Sequence, residues 1–267
     1  MAVDFHIVDI HAHILPGLDD GPRTTEESLR MCELYVAEGV TTVVATPHMC
    51  GPRFRVTADA VRGAVGELSR LCWRRGVDVV ILPGGDVRLE PELLDAVDAG
   101  EVLTLAETGK YLLLELPLQT APRFDDLLLD LFARGVAPVL SHPERNIELW
   151  RKPHRLQEFV DAGCLVQITA DSLFGGFGPA SKQAAERFLD WGLVHLVASD
   201  AHSPHRRPPQ LRRAADLLAS TVGEERARDL LHTNPAKIVR GEPLVWPVVP
   251  VVSAKQHATE VHSAAAH

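Results

Sequence analysis

Short apolar runs alternate with longer amphipathic segments along most of the chain, a pattern that predicts repeated strand–helix units around a parallel sheet. Seven runs carry it: His6 to Ile10, Thr41 to Thr46, Val77 to Leu82, Tyr111 to Leu116, Val136 to Ser141, Leu165 to Thr169 and Leu193 to Ser199. Most are continuously apolar rather than alternating, as expected of strands covered on both faces. Helices are predicted between them. Thr24-Thr25-Glu26-Glu27 offers an N-cap with Glu three residues on, a capping box, for a helix that runs to about Glu38 before Gly39 stops it. Thr57 opens the next, which ends near Arg75 ahead of Gly76, and Pro91 stands at the first position of a short helix closed by Gly100. Phe124 to Arg134 sets Leu127, Leu128, Leu131 and Phe132 at helical spacing, and Pro153 to Ala162 and Pro179 to Trp191 follow. A glycine that closes a helix just ahead of the next strand recurs along the chain, the rhythm of a β/α barrel. After the seventh run come helices from about Gln210 to Thr221 and from Glu224 to Leu231, then the segment Asn234 to Arg240.

Composition narrows this picture. A chain of 267 residues exceeds the commonest domain size, but α/β barrels run to roughly 200 to 250 residues as one domain. Residues 1–243 are therefore expected to form a single domain. Beyond Glu242 the pattern fails: Val245 to Val252 is interrupted by proline, and the rest is small and polar, so residues 244–267 are expected to be a mobile tail whose His257, His262 and His267 are not ligands. Hydrophobic residues at 46% and charged residues at 24% are enough to fill a sizeable core. The formal net charge of −9 argues against a surface that tracks nucleic-acid phosphates. No run approaches the roughly 18 apolar residues of a membrane span and no leader opens the chain, so direct membrane insertion is not expected and a cytoplasmic location is. Cys32, Cys50, Cys72 and Cys164 lack metal-knuckle spacing and are expected to be buried small hydrophobes.

Thirteen histidines are many for this length, and their placement matters more than their number. The first run leads into Asp9-Ile10-His11-Ala12-His13, the second into Pro47-His48, the third into Gly84-Gly85-Asp86; the fourth contains Glu115, the fifth gives His142, and the seventh gives Asp200 and His202. Six of the seven runs thus end in a residue type that binds metals. In a β/α barrel the carboxyl ends of the strands converge on one mouth, and active sites are built there. A shared multinuclear metal site accounts for the bias; chance would scatter such residues over both ends. Glu115 is the sharpest case, because a carboxylate inside an apolar strand is costly unless paired or metal-bound. Asp19-Asp20-Gly21 adds carboxylates at the same mouth, with Asp20 the favoured ligand, whereas His195, midway along the seventh run, is expected to be structural.

These motifs (D-I-H-A-H, L-D-D-G-P, A-T-P-H, the stretch Gly84 to Arg88, L-L-L-E, S-H-P-E-R-N and A-S-D-A-H) resemble the polymerase and histidinol phosphatase (PHP) superfamily. More narrowly, they resemble its bacterial protein-tyrosine phosphatases of capsule and exopolysaccharide loci, over roughly residues 7 to 242. The resemblance implies a distorted (β/α)7 barrel holding two or three divalent ions, most often manganese, with iron or zinc as alternatives. It implies His11, His13, Asp20, His48, Asp86, Glu115, His142, Asp200 and His202 as ligands and Arg145 and Arg207 as phosphate-binding catalytic groups, with His48 also a catalytic candidate. Arg206 adjoins Arg207 and competes with it for that role. Glu is usual in the family where this chain has Asp86, one methylene shorter. The implied substrate is a phosphotyrosine-bearing protein, the tail of a bacterial tyrosine kinase that governs polysaccharide export.

The chemistry agrees with the residues. Phosphate-monoester hydrolysis is so slow in water that a catalyst must supply a strong nucleophile and absorb charge on the phosphoryl oxygens, and clustered divalent ions with an arginine clamp do both. The alternative cysteine design needs an arginine six residues after the nucleophile; Glu38, Val56, Asp78 and Ala170 stand there, which excludes it. A small-molecule phosphatase of the histidinol-phosphate type is the nearest rival, since only the pocket rim would differ.

Overall fold

The computed structural model describes residues 3–244; the expected tail, Leu244 apart, lies outside the described residues, as do its three histidines. Each apolar run becomes a parallel strand, and two of them are interrupted. β1 (Ile7–Ala12) pairs with β2 (Val40–Ala45), which resumes after Thr46-Pro47 as β3 (His48–Met49). β4 (Val80–Pro83) pairs with β2 and resumes after Gly84-Gly85 as β5 (Asp86–Arg88), which pairs with β3. β6 (Tyr111–Glu115), β7 (Ala137–Ser141), β8 (Leu165–Thr169) and β9 (Leu196–Ala198) continue the second sheet in sequence order. The two sheets have the orders β1-β2-β4 and β3-β5-β6-β7-β8-β9. Beyond β9 the chain meets β1 again: Asp200 N–H donates to the His11 carbonyl at 2.8 Å and His13 N–H to the Ala201 carbonyl at 2.9 Å.

The helices follow the predicted positions with small shifts at their ends. α1 (Thr25–Ala37) is capped by the Thr24 hydroxyl, which accepts from Glu27 N–H. The reciprocal half of the expected capping box is displaced, because the Glu27 carboxylate takes Arg23 N–H at 2.7 Å. α2 (Ala58–Arg75) is capped by Thr57 and closed by Gly76 in the left-handed region. α3 (Leu93–Asp98) starts two residues after Pro91, which lies in a preceding turn rather than at the first helical position. α4 (Asp125–Ala133) follows β6, and α5 (Ile147–Arg151) and α6 (His154–Asp161) follow β7; α5 has no counterpart among the expected helices. α7 (Pro179–Asp190) and α8 (Leu211–Thr221) lie near their expected spans. α9 (Glu224–Arg228) and α10 (Asn234–Val239) are joined by a π turn over Asp229–Thr233, so the two expected segments form one bent rod. Pro235, which has no N–H for the ladder, sits where that turn ends.

Two apolar layers bracket the strands. Val8, Ile10, Val44, Leu113, Val139, Leu165 and Leu196 form an inner cluster with Leu105, Ala236 and Ile238, so α10 lies against this inner layer. The opposite strand faces join the larger cluster beneath the surrounding helices. Along the inner face the chemistry changes toward the carboxyl end. Side chains two apart share a face of a strand: Tyr111 and Leu113 lead to Glu115, Val139 to Ser141, Leu165 to Gln167 and Thr169, and Ala198 to Asp200. The apolar half of the layer stabilises the fold, and the polar half lies at one rim.

Candidate metal centre

The rim is assembled by local irregularities in otherwise regular strands. β1 slips register between Asp9 and Ala12, and its two histidines both reach the rim. The breaks at Thr46-Pro47 and Gly84-Gly85 carry His48 and Asp86 to directly paired positions in β3 and β5. A side chain at the second break would displace its neighbours: a Cβ on Gly84 would lie 2.7 Å from Val44 Cγ1, and one on Gly85 2.5 Å from the Met49 sulfur. His142 (φ 36°) and Asp200 (φ 50°) occupy the left-handed region just after their strands. Non-glycine residues in that region are strained, and such strain concentrates at functional sites.

All nine residues expected as ligands meet here. Their donor atoms fall into four overlapping groups, each within 4.8 Å: His13, Asp20, His48 and His202; His11, His142 and Asp200; His11, His13 and Asp86; His48, Asp86 and Glu115. Neighbours fix which ring nitrogen faces inward. His11 Nδ1 lies 2.8 Å from the Gln167 side-chain oxygen and His13 Nδ1 2.6 Å from an Asp19 oxygen, while the two Nε2 atoms approach to 3.2 Å. His202 Nδ1 lies 2.9 Å from the Asp200 carbonyl, which leaves its Nε2 3.5 Å from Asp20. A histidine oriented by a carboxylate or amide behind it is the arrangement that supports metal ligation.

Asp86 tests whether cations fit. It is fully buried, and neither carboxylate oxygen has a hydrogen-bond partner. His48 Nδ1 comes within 3.2 Å of it but is not aligned as a donor. A buried carboxylate that lacks hydrogen bonds is costly unless a cation completes it. The nitrogen and oxygen donors suit manganese, iron or zinc.

Electrostatics show the same strain. Burial by itself would lower the His13 pKa, but the Asp19 and Asp200 carboxylates raise it to about 10. Burial pushes Glu115 up to about 7, aided by the charge of Asp86. Burial lowers His202 to about 4 and holds His142 well below its usual range. Burial would raise Asp86, yet His11 and His48 hold it far below the carboxylate range.

A cavity of about 310 Å³ opens over the cluster, with Arg88, Arg145 and Arg207 in its walls and Arg53 and Phe54 at its lip. Arg145 donates to Asp200 Oδ2 at 2.6 Å and Arg207 donates to the same oxygen and to the Asp200 carbonyl. Both guanidiniums lie over the Phe177 ring, 4.3 and 5.2 Å from its centre. Arg206 does not line this cavity: a tight loop, in which Ser203 and Arg207 bridge, turns it away.

Several contributors escaped sequence reasoning. Asp19, adjacent to the favoured Asp20, is the carboxylate behind His13. Gln167 carries no charge to mark it. Glu144 is fully buried and accepts from Thr169 N–H and the Ser172 hydroxyl, beneath the loop that holds His142 and Arg145. Phe54 stacks on His48 with ring centres 5.7 Å apart, a pairing without sequence periodicity. His195 is buried away from the rim, and its Nδ1 accepts from Val166 N–H. Cys32, Cys72 and Cys164 are buried thiols, while Cys50 is only half-buried.

Residues 7–240 match the family described as "Capsular polysaccharide synthesis, CpsB/CapC". The chain is 36% identical over 220 residues to the tyrosine-protein phosphatase YwqE of Bacillus subtilis (strain 168), spanning 82% of this chain and 86% of that protein. It is 31% identical over 239 residues to the tyrosine-protein phosphatase CpsB of Streptococcus pneumoniae, spanning 87% and 98%. A crystal structure from work on YwqE and CpsB, described as unique metal-dependent tyrosine phosphatases, superposes with a TM-score of 0.85 at 33% identity over 90% of this chain and 96% of that one.

Proposed function

The chain belongs to the CpsB/CapC family of capsular polysaccharide synthesis, and from that premise we propose that it is a metal-dependent phosphatase that hydrolyses phosphotyrosine in proteins. The observation that carries the reading is the buried Asp86 carboxylate, without a hydrogen-bond partner and shared by two of four ligand groups beneath a cavity walled by Arg145 and Arg207. The strand order, with β1 meeting the segment after β9, is read as a distorted (β/α)7 barrel formed by residues 1–243.

Divalent ions held by His11, His13, Asp20, His48, Asp86, Glu115, His142, Asp200 and His202 would lower the pKa of bound water and polarise the phosphoryl group. Two or three ions, manganese foremost, suit nine ligands in four overlapping groups. The chain's own groups do the rest. Arg145 and Arg207 are held in place by Asp200 and Phe177, so their N–H forks reach an incoming phosphate without a search through rotamers. Asp200 ties clamp and cluster together, because its other oxygen lies 3.3 Å from His11 Nε2 and 3.4 Å from His13 Nε2. His48 has the most exposed ring of the five cluster histidines and lines the cavity, but as a metal ligand it would have no acidic proton for the departing oxygen. Phenolate, whose conjugate acid has a pKa of about 10, needs little such help. Phe54 places an apolar wall at the cavity lip, suited to a phenyl ring.

The substrate is read as the tyrosine-rich tail of a bacterial kinase that controls polysaccharide export, met in the cytoplasm; among the described residues no helix is long and apolar enough to cross a membrane. Phosphotyrosine peptide and histidinol phosphate assayed side by side, before and after chelation, test the reading. Metal-dependent turnover that favours the peptide is expected. Preference for histidinol phosphate would make the chain a small-molecule phosphatase instead, and turnover that survives metal removal would refute the mechanism.

A further inference from the structure

Two further clefts flank the catalytic cavity, and they carry opposite charge. One, of about 860 Å³, shares Gly51 and Phe54 with it and is lined by Asp59, Glu90, Glu92, Asp95 and Glu101 against Arg55 and Arg62. Arg62 is already paired with Asp59 and Glu107, so this side is net acidic. The other, of about 450 Å³, shares Asp20, His202 and Arg207 with the cavity and adds Arg23, His205 and Arg206.

In that second cleft Asp20 and Arg207 are engaged by the centre, while the guanidiniums of Arg23 and Arg206 are not. Asp20 lies 3.6 Å from His48 and 3.5 Å from His202, within the metal cluster. Glu27 accepts Arg23 N–H at 2.7 Å. Among the described residues the side chains of Arg23, His205 and Arg206 are exposed and form no ion pair or hydrogen bond. The loop fixes the division of labour between the neighbouring arginines. Ser203 N–H and His202 N–H donate to the Arg207 carbonyl, and the Ser203 hydroxyl takes Arg206 N–H at 2.8 Å; Arg207 then faces the catalytic cavity and Arg206 the cleft beside it. Arg55 in the first cleft is likewise unpaired but faces five carboxylates, so in a chain of net charge −9 the complementarity to anions is greater on the Arg23 and Arg206 side.

We propose that the Arg23–His205–Arg206 cleft binds carboxylate side chains of the substrate peptide next to the scissile phosphotyrosine. The enzyme is then selective for acidic phosphotyrosine segments that lie with their acidic flank over this cleft. The inference rests on the phosphotyrosine phosphatase reading. Solvent-exposed ion pairs contribute little each, so two of them together predict a roughly three- to tenfold effect on KM.

Steady-state kinetics of the metal-loaded full chain test it. Phosphotyrosine peptides of equal length carry two Asp, two Asn or two Lys on either side of the phosphotyrosine, and para-nitrophenyl phosphate serves as the flankless substrate. KM for the Asp peptide is expected to fall below that of the Asn peptide on one flank only, and higher ionic strength should erase the gap. The R23S/R206S variant should bring the Asp peptide's KM up to the Asn value and leave para-nitrophenyl phosphate turnover unchanged. If that double variant folds poorly, Arg206→Ser alone and the salt series in wild type decide the same question. Equal KM values for all peptides, or an acidic preference that survives both the variant and salt, would overturn the cleft assignment while the phosphatase reading stands. Turnover of histidinol phosphate but of no peptide would instead remove the reading beneath it.

Discussion

At the scale of single residues, the least conspicuous partner sets the behaviour of the most conspicuous proposed ligand. Asp19 lies 2.6 Å from His13 Nδ1 and, with Asp200, raises that imidazole to about 10 against the effect of burial. A metal needs the neutral ring, so below about pH 10 the ion must displace a proton. Apparent metal affinity should therefore rise with pH across the neutral range, by up to about tenfold per unit for each proton released. Asp19→Asn removes the charge that holds this proton and should flatten that slope. It should also weaken metal binding by roughly 10- to 100-fold, the usual loss when a group behind a ligand is removed. Competition titrations of manganese against a chelator at several pH values read both effects, and an unchanged slope would refute the role given to Asp19. The sequence could place a carboxylate at this mouth but not choose between Asp19 and Asp20, because two adjacent aspartates in a turn differ only in the direction the backbone gives them. Gln167, behind His11, was illegible for a plainer reason: an amide in a buried strand has no pattern to betray it.

At the scale of elements, the seven runs and most helices were legible from periodicity and from the glycines that close the helices. The short strands β3 and β5 were not, since two or three residues are too few to show a period. They nonetheless carry His48 and Asp86, and the breaks ahead of them decide where those side chains point. Gly84 is the least forgiving part of this joint: a Cβ there would meet Val44 Cγ1 at 2.7 Å and Thr46 Cγ2 at 3.3 Å, both on stiff β-branched side chains, whereas the 2.5 Å approach at Gly85 is to a flexible methionine. Gly84→Ala is expected to cost about 1–3 kcal/mol, the range for overpacking a dense core. It should also shift Asp86 enough to lower the metal content of the purified protein. Urea denaturation with elemental analysis reads the pair of effects. A stable variant with full metal content would mean that the break is incidental to the site. The π turn over Asp229–Thr233 was equally hidden, although Pro235 marks its place, because a proline near a helix end reads as a stop as readily as a bend.

At the scale of the whole molecule, the centre is also a fastener. The proposed ligands come from six strand ends spread over both sheets, with Asp20 from the loop after β1, and the contact between β1 and the chain after β9 is made by backbone groups of His11, His13, Asp200 and Ala201, which leave no trace in residue type. Three carboxylates, Asp86, Glu115 and Asp200, are buried within the same few ångströms of five imidazoles, and without cations the ladder at this rim must hold them together against the cost of burying them. Ions that bind the folded rim and not the unfolded chain add about 4 kcal/mol of stability when present at a thousandfold excess over their Kd. For a chain of this size each kcal/mol shifts Tm by about 2–4 °C, so chelation should lower Tm by roughly 8–16 °C. Scanning fluorimetry after EDTA treatment and dialysis, followed by addition of manganese, iron(II) or zinc, checks this and ranks the metals by the Tm each restores. The loss must be reversible and saturable if the rim is a binding site. A Tm indifferent to chelation would mean that the strand ends are held by the backbone ladder alone and that their histidines and carboxylates meet without a shared cation.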